Sequence, residues 1–365
     1  MKIDFIDLRA QYHKYKKEID TEISDVLESS RFIGGDKVAA FEHNLGLYTG
    51  AKHAIGCASG TDALLLSLMA LDIRAGDEVI TTPFTFVSTA EVIAFLGAKP
   101  VFVDIEQDSY NIDASKIESV ITNRTKAIIP VSLFGQCCDM DFVNSIAKRY
   151  DIPVIEDACQ SFGATYEGKR SCNLSTIGCT SFFPSKPLGA YGDGGAVFTN
   201  DDEIALKIRM LLNHGQNKKY SHRYIGINSR LDALQAAVLN VKLKYFDNEV
   251  RLRDEIGSRY TDLLEDTDII TPKIVQNRTS VYAQYSVRLK EREHLIERLN
   301  EKGIPTAVHY PIPLHLQEAF SYLAYNEGDF PVSELVSKEI LSLPMSAYLS
   351  ESEQDFIVEA IKSGY

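Results

Sequence analysis

Thr180-Ser181-Phe182-Phe183-Pro184-Ser185-Lys186, followed by Gly189 and the turn Gly192-Asp193-Gly194-Gly195, is the stretch around which the chain is organised. It is an apolar strand end that breaks at a proline and then presents one lysine. A lysine in that setting can be partly desolvated, which frees its amine lone pair for a Schiff base. Alone it would be an ordinary solvated cation. Upstream, however, Glu156-Asp157-Ala158-Cys159-Gln160 closes another apolar run. Pyridoxal phosphate needs a lysine for its aldehyde and an acid for its pyridine nitrogen. Lys186 and Asp157 supply that pair.

Composition narrows the field. A chain of 365 residues has room for one large and one smaller domain, expected at 1–240 and 241–365. The net charge of −13 argues against a nucleic-acid partner, which would want clustered Lys and Arg. The six cysteines (Cys57, Cys137, Cys138, Cys159, Cys172 and Cys179) form no C-x-x-C pair. Several lie in apolar runs, so buried free thiols are expected, with no disulfide framework and no metal. The N-terminal residues lack a basic start followed by an apolar core. No apolar run approaches the ~20 residues that span a bilayer. The expected location is the cytoplasm, with no membrane partner.

Apolar periodicity sets the architecture. Leu8, Tyr12, Tyr15, Ile19, Ile23, Val26 and Leu27 recur at three- and four-residue steps, which predicts an amphipathic opening helix. Strand-like runs follow at 54–57, 78–82, 101–105, 127–133, 154–157, 179–183 and 196–199. Helical patterns lie between them, at 63–71, 87–95, 117–121 and 142–150. Such alternation predicts an α/β fold: a mostly parallel seven-stranded sheet with helices on both faces. Ligands of these sheets collect at the carboxyl ends of the strands. Ser59-Gly60-Thr61, Pro83-Phe84-Thr85-Phe86, Asp157 with Gln160, and Lys186 all fall on that edge.

Beyond residue 240 the pattern changes. A long helix carries Leu231, Leu234, Val238, Val241 and Tyr245 on one face. Alternating Val281, Ala283, Tyr285, Val287 and Leu289 predict a half-buried strand. A helix at 293–302, a short strand at 306–310 and two closing helices complete a smaller α+β domain. No linker separates the two domains, so they should pack closely.

Several residues carry recognisable chemistry. Ser59-Gly60-Thr61-Asp62 opens a helix, where free N–H groups beside hydroxyls can cradle a phosphate. Phe84 or Phe86 could lie over a flat heterocycle. An ionised Asp157 at the end of an apolar strand is costly without a partner, and a protonated pyridine nitrogen is one. Rival motifs fail. Gly192-Asp193-Gly194-Gly195 does not complete G-x-G-x-x-G and precedes a strand. No Walker A, H-E-x-x-H or G-x-S-x-G occurs, and Pro311 and Pro313 keep His309 and His315 off one helical face.

Taken together, Ser181 through Lys186, the 192–195 turn, Glu156-Asp157-Ala158-x-Gln160-Ser161, Ser59-Gly60-Thr61-Asp62, Asn228-Ser229-Arg230-Leu231-Asp232 and His309-Tyr310 resemble the DegT/DnrJ/EryC1/StrS family. These are pyridoxal-phosphate-dependent sugar aminotransferases of the aspartate aminotransferase (type I) fold, and the likeness covers essentially the whole chain. Phe-Phe-Pro-Ser-Lys-Pro-Leu-Gly and Ala-Val-His-Tyr-Pro-Ile-Pro-Leu most resemble the UDP-2-acetamido-2-deoxy-3-oxo-glucuronate aminotransferases. That subgroup serves diacetamido uronic acids of bacterial surface polysaccharides.

The resemblance implies a role for each matching position. Lys186 would carry the cofactor, Asp157 pair with its ring nitrogen and Gln160 approach its ring hydroxyl. Gly60, Thr61 and Ser181 would hold its phosphate, with Asn228 reaching in from the other subunit of a homodimer whose active sites are shared. Phe84 belongs to the expected cofactor pocket. Arg230, His309 and Tyr310 match positions that meet the nucleotide sugar. Lysine at 186, where some relatives carry histidine and act as dehydratases, implies transamination, with glutamate giving 2-oxoglutarate and a UDP-sugar as acceptor. Arg230 is the candidate for the sugar carboxylate or diphosphate, because a guanidinium forks onto either. His309 could assist if protonated. Two rivals remain: an aminotransferase for a different nucleotide-linked 3- or 4-keto-deoxysugar, and a non-catalytic cofactor- or nucleotide-sugar-binding regulator.

Overall fold

The apolar runs become neighbouring strands of one layer. A computed structural model describes residues 3–363. Its strands are β1 (His53–Cys57), β2 (Glu78–Thr81), β3 (Lys99–Phe102), β4 (Thr125–Ile128), β5 (Ile155–Asp157), β6 (Ile177–Ser181) and β7 (Gly195–Thr199). β2 pairs in parallel with β3 and β4, and β5 with β6. Parallel bridges from Ile128 to Val154 and from Val131 to Asp157 join the β4 and β5 segments. β7 runs antiparallel between β6 and β1. The order is therefore β3-β2-β4-β5-β6-β7-β1, parallel except for β7, as the sequence predicts for this fold class.

Alternate side chains of each strand feed opposite cores. Helices α1 (Leu8–Ser29) and α2 (Asp36–Thr49) precede the sheet. Between its strands come α3 (Gly60–Ala70), α4 (Ser88–Phe95) and α5 (Met140–Arg149), with α6 (Asp202–Leu211) after β7. Leu64, Leu66, Ile93 and Ile208 of α3, α4 and α6 pack with Ile55, Ile155 and Val197 on one side. Phe41 and Leu45 of α2 pack with Phe182 and Phe198 on the other, where Val143 and Ile146 of α5 meet Ile80 and Ile128. All six cysteines are free, and only Cys159 is less than fully buried.

The next helix, α7 (Ala233–Leu264), has 32 residues, about 48 Å at 1.5 Å per residue. Its first half seats Leu239 and Phe246 on the sheet core and Val238 and Val241 on Tyr15 and Ile19 of α1. Its second half sends Ile256, Tyr260 and Leu264 into a separate core with Val287, Leu299, Leu341 and Ile357. The helix thus crosses positions 240 and 241 without a break.

That second core is built by β8 (Tyr285–Arg288), α8 (Arg292–Glu301), β9 (Ile340–Leu343) and α10 (Glu351–Lys362), while α9 (Pro331–Glu339) sends Val336 into a different cluster with Phe84, Ile105 and Val131. Two expectations need correcting. The strand expected at 306–310 is only a bridge from Ala307 to Ser342. β9 instead pairs antiparallel with β8, running from Tyr285↔Leu343 to Arg288↔Ile340. Nor is β8 half-exposed; all four of its residues are buried. Its polar side chains meet other protein segments rather than solvent. Ser286 Oγ lies 2.9 Å from Ser342 Oγ, while Arg288 pairs with Glu339 at 2.7 Å and donates to Gln107 O at 3.2 Å. Among the described residues, no helix is long and apolar enough to cross a membrane, and no group of His, Cys, Asp and Glu could hold a metal ion.

Candidate active site

The cradle forms where β1 hands over to α3. Ser59 caps the helix, its Oγ accepting from Asp62 N at 3.0 Å. The first N–H groups of a helix have no acceptor within it, and its dipole is positive there. Gly60 lets the neighbouring strand ends close in. A Cβ on it would stand 2.6 Å from Ser181 Cβ and 2.9 Å from Cys159 Sγ. Ser181 Oγ accepts from Phe183 N at 3.2 Å, which leaves its hydroxyl proton available to an anion. Gly60, Thr61 and Ser181 thus make a donor-lined corner.

Asp157, at the end of β5, is 4% exposed. Its Oδ2 accepts from Thr89 Oγ1 at 2.8 Å and its Oδ1 from Cys159 N at 3.2 Å. No cationic side chain among the described residues pairs with it. A buried carboxylate held by two neutral donors fits a ligand that brings its own positive charge. Thr89, in the first turn of α4, carries no local sequence signal for this role, because its partner lies 68 positions away.

Gln160 is fixed at both ends of its amide. Oε1 accepts from Phe134 N at 2.9 Å, and Nε2 donates to Tyr310 OH at 3.2 Å. His309, joined to Tyr310 by a cis peptide bond, has Nδ1 2.9 Å from Ser342 Oγ. Burial lowers the His309 pKa below 6.5, and the nearby Lys186 charge lowers it further. The charge that His309 would need to assist Arg230 is therefore disfavoured, and the imidazole is placed to act through hydrogen bonds. Burial likewise pushes the Tyr310 phenol up, so it keeps its proton.

The aromatic assignment also changes. Phe84 has no exposed surface and is wedged against Phe134 and Tyr310 at centroid distances of 6.4 and 6.3 Å. It has no free face to offer a ring. Phe86 is 51% exposed and 6.2 Å from the Tyr310 ring, so the face available for stacking is its own.

Lys186 sits on a tight loop. Phe182 N donates to Gly194 O and Ala190 N to Phe182 O, both at 2.7 Å. Lys186 N donates to Phe183 O at 2.8 Å, and a Cβ on Gly189 would lie 2.3 Å from Pro184 O. The side chain is half-buried, and its charge acts on both Cys159 and His309. Lys186, Asp157, Gln160, Gly60, Ser181, His309 and Tyr310 are therefore neighbours. Asn228 and Arg230 find their partner in Asn213. Asn228 is exposed and bridges Asn213, while Arg230 Nη1 donates to Asn213 Oδ1 at 2.7 Å. Ser229 Oγ accepts from Ala58 N at 3.3 Å, which keeps this segment beside the end of β1. Among the described residues, no hydrogen bond, ion pair or ring contact ties Asn228 or Arg230 to Lys186, Asp157 or Gln160.

A lysine, a buried unpaired carboxylate, a glycine-dependent anion corner and an exposed aromatic face fit pyridoxal phosphate. They define a cofactor-dependent enzyme of the type I transferase fold. A model of the DegT/DnrJ/EryC1/StrS aminotransferase family matches residues 13–362. The chain is 53% identical over 359 residues to UDP-2-acetamido-2-deoxy-3-oxo-D-glucuronate aminotransferase of Pseudomonas aeruginosa, covering 98% of this chain and 99% of that one. Among solved structures, a DegT DnrJ EryC1 StrS aminotransferase from Brucella abortus has a TM-score of 0.96 at 44% identity, covering 99% of each chain. S. venezuelae DesV, in complex with a ketimine intermediate, has a TM-score of 0.97 at 37% identity, covering 100% of this chain and 98% of that one. The chain belongs to the DegT/DnrJ/EryC1/StrS aminotransferase family. It is a transaminase, and its cofactor is pyridoxal 5′-phosphate.

Proposed function

We propose that this enzyme moves an amino group from glutamate to the C3 ketone of a UDP-linked 2-acetamido-2-deoxy-3-oxo-glucuronic acid. Its place is the cytoplasm, in a route to a diacetamido uronic acid for a bacterial surface polysaccharide such as lipopolysaccharide O-antigen. The observation that carries this reading is the end-to-end 53% identity with the Pseudomonas aeruginosa enzyme of that name. When bound, pyridoxal phosphate supplies an aldehyde and an electron sink. Lys186 would carry the cofactor, and its freed Nζ would take the proton from the α-carbon of the amino donor and deliver it to the cofactor's former aldehyde carbon. Asp157, steadied by Thr89 and the Cys159 amide, holds a proton on the ring nitrogen. Gln160 donates to the ring oxygen. The N–H groups of Gly60 and Thr61 and the Ser181 hydroxyl bind the phosphate. Phe86 covers one ring face.

Arg230 binds the acceptor's carboxylate or diphosphate, and neutral His309 and Tyr310 hydrogen-bond its sugar. The working unit is a homodimer in which Asn228, exposed and not hydrogen-bonded to its own chain's Lys186, completes the partner's phosphate site. Tyr220 and Ile225, 85% and 91% exposed on the connection leading to Asn228, support a covered surface there.

The test is a coupled assay. UDP-N-acetylglucosaminuronic acid, its 3-dehydrogenase, NAD and glutamate are supplied, and the product is read by mass. The expected outcome is an aminated UDP-uronate with stoichiometric 2-oxoglutarate. Amination of an uncharged 3- or 4-keto sugar alone would transfer the enzyme to the deoxysugar substrates. Borohydride reduction followed by peptide mapping should place the cofactor on Lys186. A tag on any other lysine would overturn the site.

A further inference from the structure

Helix α7 grips the lysine loop from behind at two points. Gln235 engages the backbone of Tyr191 twice: Oε1 accepts from Tyr191 N at 2.8 Å and Nε2 donates to Tyr191 O at 3.4 Å. Lys242 Nζ donates to Gly189 O at 2.6 Å and lies 4.3 Å from the centroid of the Tyr191 ring. Residues seven apart share one face of a helix, so α7 presents an amide and an ammonium to the same three-residue segment. That segment is tightly coupled to Lys186. The near-contact of Gly189 with Pro184 O closes the turn in which Lys186 sits, and Gly192 has no room for a Cβ beside Gln235 Nε2, at 2.9 Å. Displacement of Gly189 must therefore displace the turn.

Lys242 is 1% exposed, and burial lowers its pKa to about 8 against the opposing pull of Glu249. An ammonium is expensive to bury, and an apolar side chain of similar length would fill the same space without that cost. What the ammonium adds is its hold on a backbone carbonyl. Charge-assisted hydrogen bonds of this kind are the strong ones.

We propose that Lys242, seconded by Gln235, is a positioning residue that fixes the 184–191 turn so that Lys186 presents its amine to the cofactor. The inference rests on Lys186 as the cofactor lysine, which borohydride mapping of the wild-type holoenzyme tests separately. A tag elsewhere in wild type overturns that assignment whatever Lys242 does.

The grip itself is read by hydrogen–deuterium exchange on the homogeneous, cofactor-free protein and again on the holoenzyme. In Lys242→Met, peptides covering 183–192 should exchange about tenfold faster in both forms, with protection elsewhere unchanged. Lys242→Arg, which keeps a charged donor, should recover most of that protection. The misplaced amine should show as a kcat loss of about ten- to a hundredfold, with KM for the sugar little changed. Gln235→Leu should loosen the same peptides to a smaller extent, and this variant carries the test if Lys242→Met does not fold. Exchange over 183–192 within twofold of wild type in the folded variants overturns the proposal. So does a uniform rise in exchange across the chain, which would make Lys242 a general stabiliser.

Discussion

Gly60→Ala tests the phosphate corner with one methyl group. The added Cβ would stand 2.6 Å from Ser181 Cβ and 2.9 Å from Cys159 Sγ, where ordinary contact begins at 3.4 Å. Something must therefore yield by roughly 0.8 Å, the overpacking case. Ser181 cannot retreat freely, because it is paired with Gly195 across β6 and β7. Gly195 in turn lies so close to Ser59 that a Cβ on it would be 2.3 Å from Ser59 O. The start of α3 has to lift, which separates the Gly60 and Thr61 N–H groups from the Ser181 hydroxyl. The backbone of Gly60 has no positive φ, so the effect is one of space alone. Overpacking of this kind costs about 1–3 kcal/mol. If most of that falls on the cofactor complex, affinity drops by about five- to a hundredfold at 1.4 kcal/mol per decade. Fluorescence titration of the cofactor-free variant with pyridoxal phosphate measures it, with a melting curve to separate affinity from folding. A dissociation constant within twofold of wild type at an unchanged melting temperature would refute the cradle.

Other consequences follow from the same geometry. Arg230→Ala should impair use of a uronate acceptor about ten- to a hundredfold more than use of the matching uncharged sugar, the ~1.5–3 kcal/mol of one charge-assisted contact; equal losses remove the carboxylate role. Burial raises Glu156 from 4.5 to about 7, although its carboxylate oxygens accept from Ser171 Oγ and Cys172 N. The folded chain then keeps a proton the unfolded chain has lost, so this group's contribution falls as pH rises from about 4.5 to about 7, by about 3 kcal/mol in all, and stays low above. Urea melts at pH 5 and pH 8 should show a smaller fall for Glu156→Gln, and equal falls in both proteins would show that another group is responsible. Lys186→Ala chains and Asn228→Ala/Arg230→Ala chains should each be nearly inactive, yet a verified mixed dimer should regain activity at the one site free of lesions; silence after confirmed subunit exchange places the three residues in one chain.

The chemical edge of the sheet could be read in advance because parallel strands impose it. Once the apolar runs are taken as parallel, the residues that follow them must share one rim. Gly60, Asp157 and Lys186 need no contact map to be grouped. What crosses between segments left no local trace. Thr89 serves Asp157 from 68 positions away and Lys242 holds Gly189 from 53 positions away, and both belong to ordinary helical sequence. Phe84 and Phe86 have the same parity, so a period of two cannot choose between them. The choice falls to the loop after Pro313: Leu314 N donates to Pro83 O at 2.8 Å, and Phe84 turns inward against Phe134 and Tyr310. Strand β9 was hidden for a different reason. Ile340-Leu341-Ser342-Leu343 follows α9 with no glycine or proline between them. Helix α2 was masked because its buried Phe41 and Leu45 share the helix with Leu47, which is 71% exposed.

The donors and acceptors of the cleft are sorted by side, and the sorting follows from what backbone groups can do. The Phe134 N–H can only donate, so Gln160 must turn Oε1 toward it and Nε2 toward Tyr310. The second proton of that amide is then left for a ligand. The Tyr310 hydroxyl, accepting from Gln160 and kept protonated by burial, has its own proton to give. The α3 N–H groups and the Ser181 hydroxyl are donors as well. Asp157 is the opposite case: Thr89 and the Cys159 amide already supply its neutral hydrogen bonds, so what its buried charge still lacks is a cation. A ligand that satisfies both sides must carry positive charge at one ring position and negative charge at an oxygen and a phosphate. A pyridinium phenolate with a phosphate arm has that distribution, whereas an uncharged heterocycle would leave Asp157 without a cation and an N-substituted nicotinamide ring would have no ring N–H to give it. The polarity of the cleft thus fits the cofactor without counting Lys186. For that reason Lys186→Ala should still retain pyridoxal phosphate non-covalently after dialysis.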